Sequence, residues 1–437
     1  MNQSNDKPQA SGDLRRTFLK TAAVAAAAFP AIIKAQSVTN AIKIGLVGCG
    51  GRGTGAAAQA LQADDYGTLT AMADIFQERI DDSLDNLGRA KKGLLVERLK
   101  VDKSHQFTGL DAYDKLINSG VDVVLLATPP GFRPTHLDAC ISAGKHVFCE
   151  KPVAVDAFGI RQVLGTVDVA KQKNLSLVAG FCWRYNTMIK ATFEQIANGA
   201  IGDIVDYYGT YYTSPVKPMP PASTRPAGMG DVEWQIRNWY NFTWTCGDSL
   251  VEQAVHSIDK VAWAMKDQPP ISCVAVGGRQ IPAEGGNIFD HFSVNYLYPN
   301  DVRAVVANRQ IEGCYNENSD YIMGNKGVCT IGRGPVPRIT GQTTWTYEKQ
   351  GNEIDMYQIE HNALFASIRQ GKPINNGGRM ATSTLLALMG RMAAYTGQTI
   401  AWDQAMNSQE RIFPEKLDWN MSLPVAAMAR PGLTKFS

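Results

Sequence analysis

Residues 41–61 read "AIKIGLVGCGGRGTGAAAQAL". Ile42, Ile44, Leu46 and Val47 make a short apolar strand, and an alanine-rich helical stretch runs on from Thr54. Between them Gly48, Gly50 and Gly53 form G-x-G-x-x-G, with Gly51 and Arg52 inside the motif. The first glycine permits a tight turn and the second lets a pyrophosphate approach the backbone. The third allows a helix to pack close to the strand, and the helix N-terminus favours the phosphate charge. The next strand, "TLTAMADIF" (68–76), ends at Asp74, twenty-one residues beyond Gly53. A carboxylate there accepts hydrogen bonds from an adenosine ribose and repels a 2′-phosphate, so NAD is favoured over NADP. Arg52 pulls the other way, because a nearby arginine can accommodate that phosphate.

The pattern continues outward. Residues 77–98 are charged and helical in character, and "VDVVLLATPP" (121–130) is a continuous apolar run suited to a buried parallel strand. "THLDACISAG" (135–144) reads as a helix and "KHVFCEKP" (145–152) as another strand end. This alternation predicts a doubly wound α/β domain, a Rossmann domain over 40–160. Past about residue 200 the texture changes. "DIVDYYGTYYT" (203–213), "ISCVAVGGRQI" (271–281), "DHFSVNYLYPNDVRAVVANRQIEG" (290–313) and "YIMGNKGVCTIG" (321–332) alternate in period two. They predict a mostly antiparallel sheet in a second, α+β domain over 161–437. One helix is expected over 248–265 and a long ordered loop rich in Pro, Gly and Trp over 214–246. A late amphipathic helix is expected over 379–395, packed back on the first domain.

The first 36 residues read as a leader. "LRRTFLK" (14–20) precedes a weakly apolar stretch, Thr21 to Ile33, too short for a bilayer span of about 20 residues. This is the form of a twin-arginine signal peptide, with processing after Ala35, and it predicts a periplasmic or otherwise exported protein. Without residues 1–35 the chain carries 38 basic and 39 acidic residues, which gives no electrostatic case for nucleic acid or an anionic membrane. The eight cysteines are dispersed without a C-x-x-C pair, so neither a metal site nor a disulfide framework is indicated.

Two further groups carry chemistry. Lys151 sits in "CEKP". Glu252 and His256 are four apart in the expected helix and share one face, where a carboxylate can orient an imidazole to act as a general base. Spacing alone favours a packed helix with a satisfied histidine.

With GCGGRG (48–53), Thr128-Pro129, His136, AGKHVFCEKP (143–152), GFCWRYN (180–186) and the helix of Glu252 and His256, the chain resembles the Gfo/Idh/MocA family of glucose–fructose oxidoreductases and inositol dehydrogenases. The resemblance implies a Rossmann domain followed by a large open sheet that commonly makes homodimer or homotetramer contacts. It places Lys151 beside the nicotinamide, with a lowered pKa and an X-Pro bond that is often cis. It assigns Lys151, His256 and Glu252 to catalysis. Thr128, Pro129, His136, Glu150 and Arg184 join the glycine motif and Asp74 in cofactor binding. Tyr185, Asp259 and Trp239, the last from the aromatic loop "EWQIRNWYNFTWTCGD" (233–248), face the substrate. The family usually has Asp where this chain has Glu252. His146, His291 and His361 read as structural.

A twin-arginine leader on a nucleotide-binding protein makes physical sense if the chain folds around NAD and carries it out tightly bound. The chemistry expected is hydride transfer between a ring hydroxyl of a sugar or glycoside, for instance at C3, and that resident cofactor. One alternative is a glycosidase that uses the same cofactor through oxidation, elimination, water addition and reduction. Another is a non-catalytic sugar-binding protein.

Overall fold

The computed structural model describes residues 40–281, 285–349 and 351–437. The expected leader, 1–36, lies outside them. Residues 41–437 form one compact unit built on two sheets.

The first sheet has six strands in the order β3-β2-β1-β4-β5-β6, all parallel. They are β1 Lys43–Val47, β2 Thr68–Asp74, β3 Gln106–Thr108, β4 Val123–Leu126, β5 His146–Cys149 and β6 Leu177–Ala179. The strand order reverses between β1 and β4, and ligands of such sheets bind at the carboxyl ends of the strands around that point. Every residue of β4 is buried, as the apolar run demanded. The sheet does not stop at residue 160. The helix Ala157–Gln172 crosses over and β6 closes the far edge, so the first domain runs about twenty residues further than its sequence pattern suggests. Three residues of strand are too short a periodic signal to be read in advance.

The second sheet has nine strands in the order β14-β13-β12-β11-β7-β10-β9-β8-β15. Its members are β7 Ile204–Thr213, β8 Ser272–Gly278, β9 His291–Leu297, β10 Arg303–Gln310, β11 Glu317–Gly324, β12 Gly327–Ile331, β13 Arg338–Gly341, β14 Trp345–Thr346 and β15 Ile400–Ala401. Only the β7–β10 pair is parallel. The "PND" and "GNKG" turns connect β9 to β10 and β11 to β12, with Asn300 and Asp301 at positive φ.

The helix Val255–Ala264 packs on this sheet and is preceded by a π-helical turn, Leu250–Ala254, where the sequence suggested one uninterrupted helix. Such turns gather at functional sites. Lys260 of the helix is ion-paired with Asp320 of β11, both essentially inaccessible, and Tyr207 of β7 donates its hydroxyl to the same carboxylate at 2.8 Å. The late helix Gly377–Thr396 touches both layers. The Val153 amide donates to Thr384 Oγ1 at 3.3 Å, and the Tyr296 hydroxyl donates to Leu386 O at 2.9 Å. The segment expected to be a loop, 214–246, contains the helix Asp231–Arg237 and encloses a separate core of Val232, Trp234, Ile236, Phe242 and Trp244 with Phe132.

All eight cysteines are unpaired, and all but Cys314 are buried. Among the described residues no group of His, Cys, Asp and Glu is arranged to hold a metal, and no helix is long and apolar enough to cross a membrane.

Lys260→Met leaves the Asp320 charge buried against Tyr207 alone. The expected loss is about 3–5 kcal/mol of unfolding free energy in denaturant titrations. The double variant Lys260→Met/Asp320→Asn should recover part of it, and a Lys260→Met protein of wild-type stability would refute the assignment.

Candidate active site

The turn after β1 is set by backbone contact. Gly48 holds φ +94°, and a Cβ on Gly53 would stand 1.8 Å from the Gly48 carbonyl oxygen. Only glycine lets the helix Gly51–Ala63 start this close to the strand. No side chain caps the helix, and Gly50 and Gly51 have open space where a side chain would be. The first amides of the helix therefore face a cavity of about 390 Å³. Gly48, Gly50, Gly51, Arg52, Gly53, Asp74, Thr128, Pro129, His136 and Trp239 are among the residues that line it.

Asp74 closes one end. Its Oδ2 accepts from the Cys49 amide at 2.7 Å and Oδ1 from the Phe76 amide at 3.1 Å. Burial pushes this carboxyl above its ordinary range even though those two amides pull it down. Arg52, the residue that could have favoured a 2′-phosphate, turns elsewhere. Its guanidinium pairs with Glu150, reaches Glu360 at 3.4 Å and lies over the Tyr357 ring at 4.7 Å. A glycine cradle, a helix start with unpartnered amides and a fixed carboxylate at the next strand end fit a dinucleotide.

Glu150 is therefore one layer behind the cavity. Burial raises its pKa, but Arg52 and Arg133 outweigh that and hold it below the usual carboxylate range. His136 stacks on Tyr113 at 4.1 Å and meets the Thr128 hydroxyl at 3.3 Å. Burial, helped by Arg133, drives its pKa down to about 3.

Lys151, Glu252 and His256 come together in a buried cluster beside the cavity rather than on its wall. The Lys151–Pro152 bond is cis. Lys151 Nζ donates to the Glu252 carbonyl at 2.5 Å and lies 3.3 Å from Glu252 Oε1. Gln253 donates to the other carboxylate oxygen and accepts from the Tyr211 hydroxyl at 3.0 Å. Burial raises the Glu252 pKa against the opposing charge of Lys151. His256 Nδ1 is buried without a hydrogen-bond partner. Burial, with Lys151 and Lys260 nearby, drives its pKa far down, so the imidazole is neutral. The sequence expectation that Glu252 orients His256 is thus corrected: the Lys151 ammonium holds the carboxylate instead. Tyr240 connects the two regions. It lines the cavity, and after burial the charge of Glu252 is the main influence that raises its pKa.

Arg184 and Asp259 are also corrected. Arg184 makes a two-pronged ion pair with Asp259, at 2.9 Å from Nε to Oδ2 and 2.9 Å from Nη2 to Oδ1, and a second pair with Asp267 at 2.6 Å. Ser383 donates to Asp259 at 2.8 Å. Neither residue lines the cavity; an arginine buried to this extent is satisfied by carboxylates, not by ligand. Tyr185 accepts from Asn376 Nδ2 at 2.9 Å and is likewise off the cavity. Of the loop aromatics, Trp234, Phe242 and Trp244 form core, while Trp239 and Tyr240 stack on each other at 3.9 Å on the cavity wall. Sequence reasoning missed Phe76, Arg79, Tyr113, Lys217, Ile236 and Arg237 on that wall. The last three come from the segment expected to be a loop, and no motif marks them.

Residues 42–181 match the Gfo/Idh/MocA family, described as an oxidoreductase family with an NAD-binding Rossmann fold. The inositol 2-dehydrogenase of Rubrobacter xylanophilus is 26% identical over 66% of this chain and 71% of its own length. The myo-inositol 2-dehydrogenase of Thermotoga maritima is 27% identical over 37% of this chain and 42% of its own. Among solved structures, a levoglucosan dehydrogenase in complex with NADH and levoglucosan superposes with a TM-score of 0.66 at 18% identity. It covers 83% of this chain and 99% of that one. The aldose–aldose oxidoreductase of Caulobacter crescentus gives a TM-score of 0.64 at 18% identity over 83% and 100%.

The buried imidazoles also set acid stability. His136 titrates near 3 when folded and near 6.5 when unfolded, so its contribution is present above 6.5 and lost as pH falls. Between those limits each such histidine adds about 1.4 kcal/mol per pH unit to the slope of stability against pH. His136→Gln should flatten that slope by about one proton in denaturant titrations at pH 7, 6, 5 and 4; an unchanged slope would show that the ring is protonated in the folded state. On the cradle at its centre and the match over residues 42–181, the chain is an NAD-binding oxidoreductase whose first domain is similar to the Gfo/Idh/MocA family.

Proposed function

We propose that this chain oxidises or reduces a ring hydroxyl of a sugar or glycoside, with C3 as a candidate position, using an NAD held through many turnovers. The observation that carries the reading is the neutral, unpartnered His256 imidazole beside the Lys151–Glu252 pair. Gly48, Gly50, Gly53 and Asp74 would hold NAD, which would supply the hydride acceptor or donor. The protein has the remaining tasks. His256 takes the hydroxyl proton, for which a neutral ring with a free nitrogen is needed. Lys151 polarises the same oxygen, and Glu252 holds the ammonium in place. The relatives support the substrate class: inositol, levoglucosan and aldoses, the names they carry, are all polyhydroxylated.

The leader "LRRTFLK" motivates the rest of the reading: export of the folded protein with its cofactor aboard, to the periplasm. Assembly into homodimers or homotetramers fits the broad second sheet, whose β8 exposes Val274 and Val276.

His256→Ala and Lys151→Met should each lower turnover on a responsive sugar by on the order of 10²- to 10⁴-fold, the range for removing a general acid or base, with NAD still bound. Wild-type turnover in His256→Ala would end the assignment. Product analysis separates net oxidation, which leaves a ketosugar, from the glycosidase route, which leaves a free sugar and unchanged oxidation level.

A further inference from the structure

The wall of the cavity opposite the glycine cradle comes from outside the first domain. Lys217, Ile236, Arg237, Trp239 and Tyr240 all belong to the segment 214–246. Arg237 ends the short helix Asp231–Arg237 and reaches back to the first domain. Its guanidinium lies over the Phe76 ring at 3.8 Å and pairs with Glu78 at 2.7 Å as well as with Glu233 at 2.8 Å. Lys217 donates to the Arg237 carbonyl at 2.6 Å. Phe76 itself lines the cavity, two residues after Asp74.

This wall is held by an irregular strap, residues 410–423. Glu410 pairs at 2.6 Å with Arg391, a fully buried arginine of the late helix. The Ile412 amide donates to Asp156 at 2.8 Å. Phe413 packs against Phe132 at 5.1 Å and Trp244 at 5.7 Å, and Trp419 sets its ring against Phe76 at 5.9 Å, edge to face. The Leu423 amide donates to Asp231 at 3.0 Å, and its carbonyl accepts from Gln235 at 2.6 Å. Phe76 is thus gripped by Arg237 on one side and Trp419 on another. The strap fixes both ends of the helix that presents Ile236 and Arg237 to the cavity.

We infer that residues 214–246 and the strap 410–423 form a cover that retains the nucleotide, with Arg237 and Trp419 as its positioning residues. The inference rests on the reading of this cavity as the NAD site. A ligand in the cradle is walled on the adenosine side by Phe76, Arg237 and Lys217, and it leaves only when the cover lifts. Lifting breaks the Arg237–Glu78 pair and the Phe76 contacts together, so release is slow while the strap is seated. The cover supplies the physical basis for a cofactor that is reset in place rather than exchanged at each turnover.

The test is an exchange measurement on the full chain. Protein loaded with NAD is mixed with excess isotopically labelled NAD, desalted at intervals and denatured, and the bound nucleotide is read by mass spectrometry. Trp419→Ala and Arg237→Ala should each speed exchange by on the order of tenfold or more, since affinity differences between related complexes lie mostly in dissociation rate. The melting temperature of the nucleotide-free variants should stay near that of the nucleotide-free wild type, which a general loss of packing would not allow. Amide exchange across 410–423 should slow when NAD is added to the wild type. Exchange at the wild-type rate in both variants, or a strap indifferent to NAD, overturns the cover. A wild type that binds no NAD at all is a different result and overturns the nucleotide site itself.

Discussion

The approach of Gly53 to the Gly48 carbonyl is the contact on which the rest of the site depends. No side chain fits there, so the helix starts against the strand end and its free amides point into the cavity. The same closeness brings Arg52 off the first turn of that helix to Glu150 and Glu360. Glu150 precedes Lys151, so the cradle and that lysine share one framework of charges. Removing a positive or negative member of that framework would leave its partner buried and unpaired, which is why these residues are as much architecture as chemistry.

The division of labour between the domains follows from the two sheets. The parallel sheet offers its strand ends to the dinucleotide. The antiparallel sheet carries the helix that brings Glu252 and His256 to Lys151, and the Lys260–Asp320 pair fixes that helix from beneath. Its low-dielectric packing explains the neutral His256, because burial penalises the charged ring and the charges of Lys151 and Lys260 penalise it further. The segment 214–246 with its strap completes the enclosure from a third direction.

The parts legible in the sequence were those with local causes. The glycine motif, the acidic strand end and the apolar β4 run each follow from a constraint within a few residues, and the structure assembles them as read. The period-two stretches became β7 to β12 for the same reason. What escaped had long-range causes. Arg184 finds Asp259 across seventy-five residues, and once that pair forms neither group is left for a ligand. Glu252 shares a helical face with His256, yet the lysine that captures it is a hundred and one residues away. The strap 410–423 has no regular secondary structure and no periodicity, so its bond to Asp231 and its contact with Phe76 leave no trace in the local pattern.

The central claim is a nucleotide that travels with the folded chain, and its most direct test is the nucleotide content of protein purified without added cofactor. After gel filtration and denaturation, the released NAD(H) and NADP(H) are quantified by mass spectrometry. The account predicts close to one NAD(H) per chain and almost no NADP(H), because Asp74 closes the ribose end while Arg52 is committed to Glu150. An empty protein, or one filled with NADP(H), would contradict it.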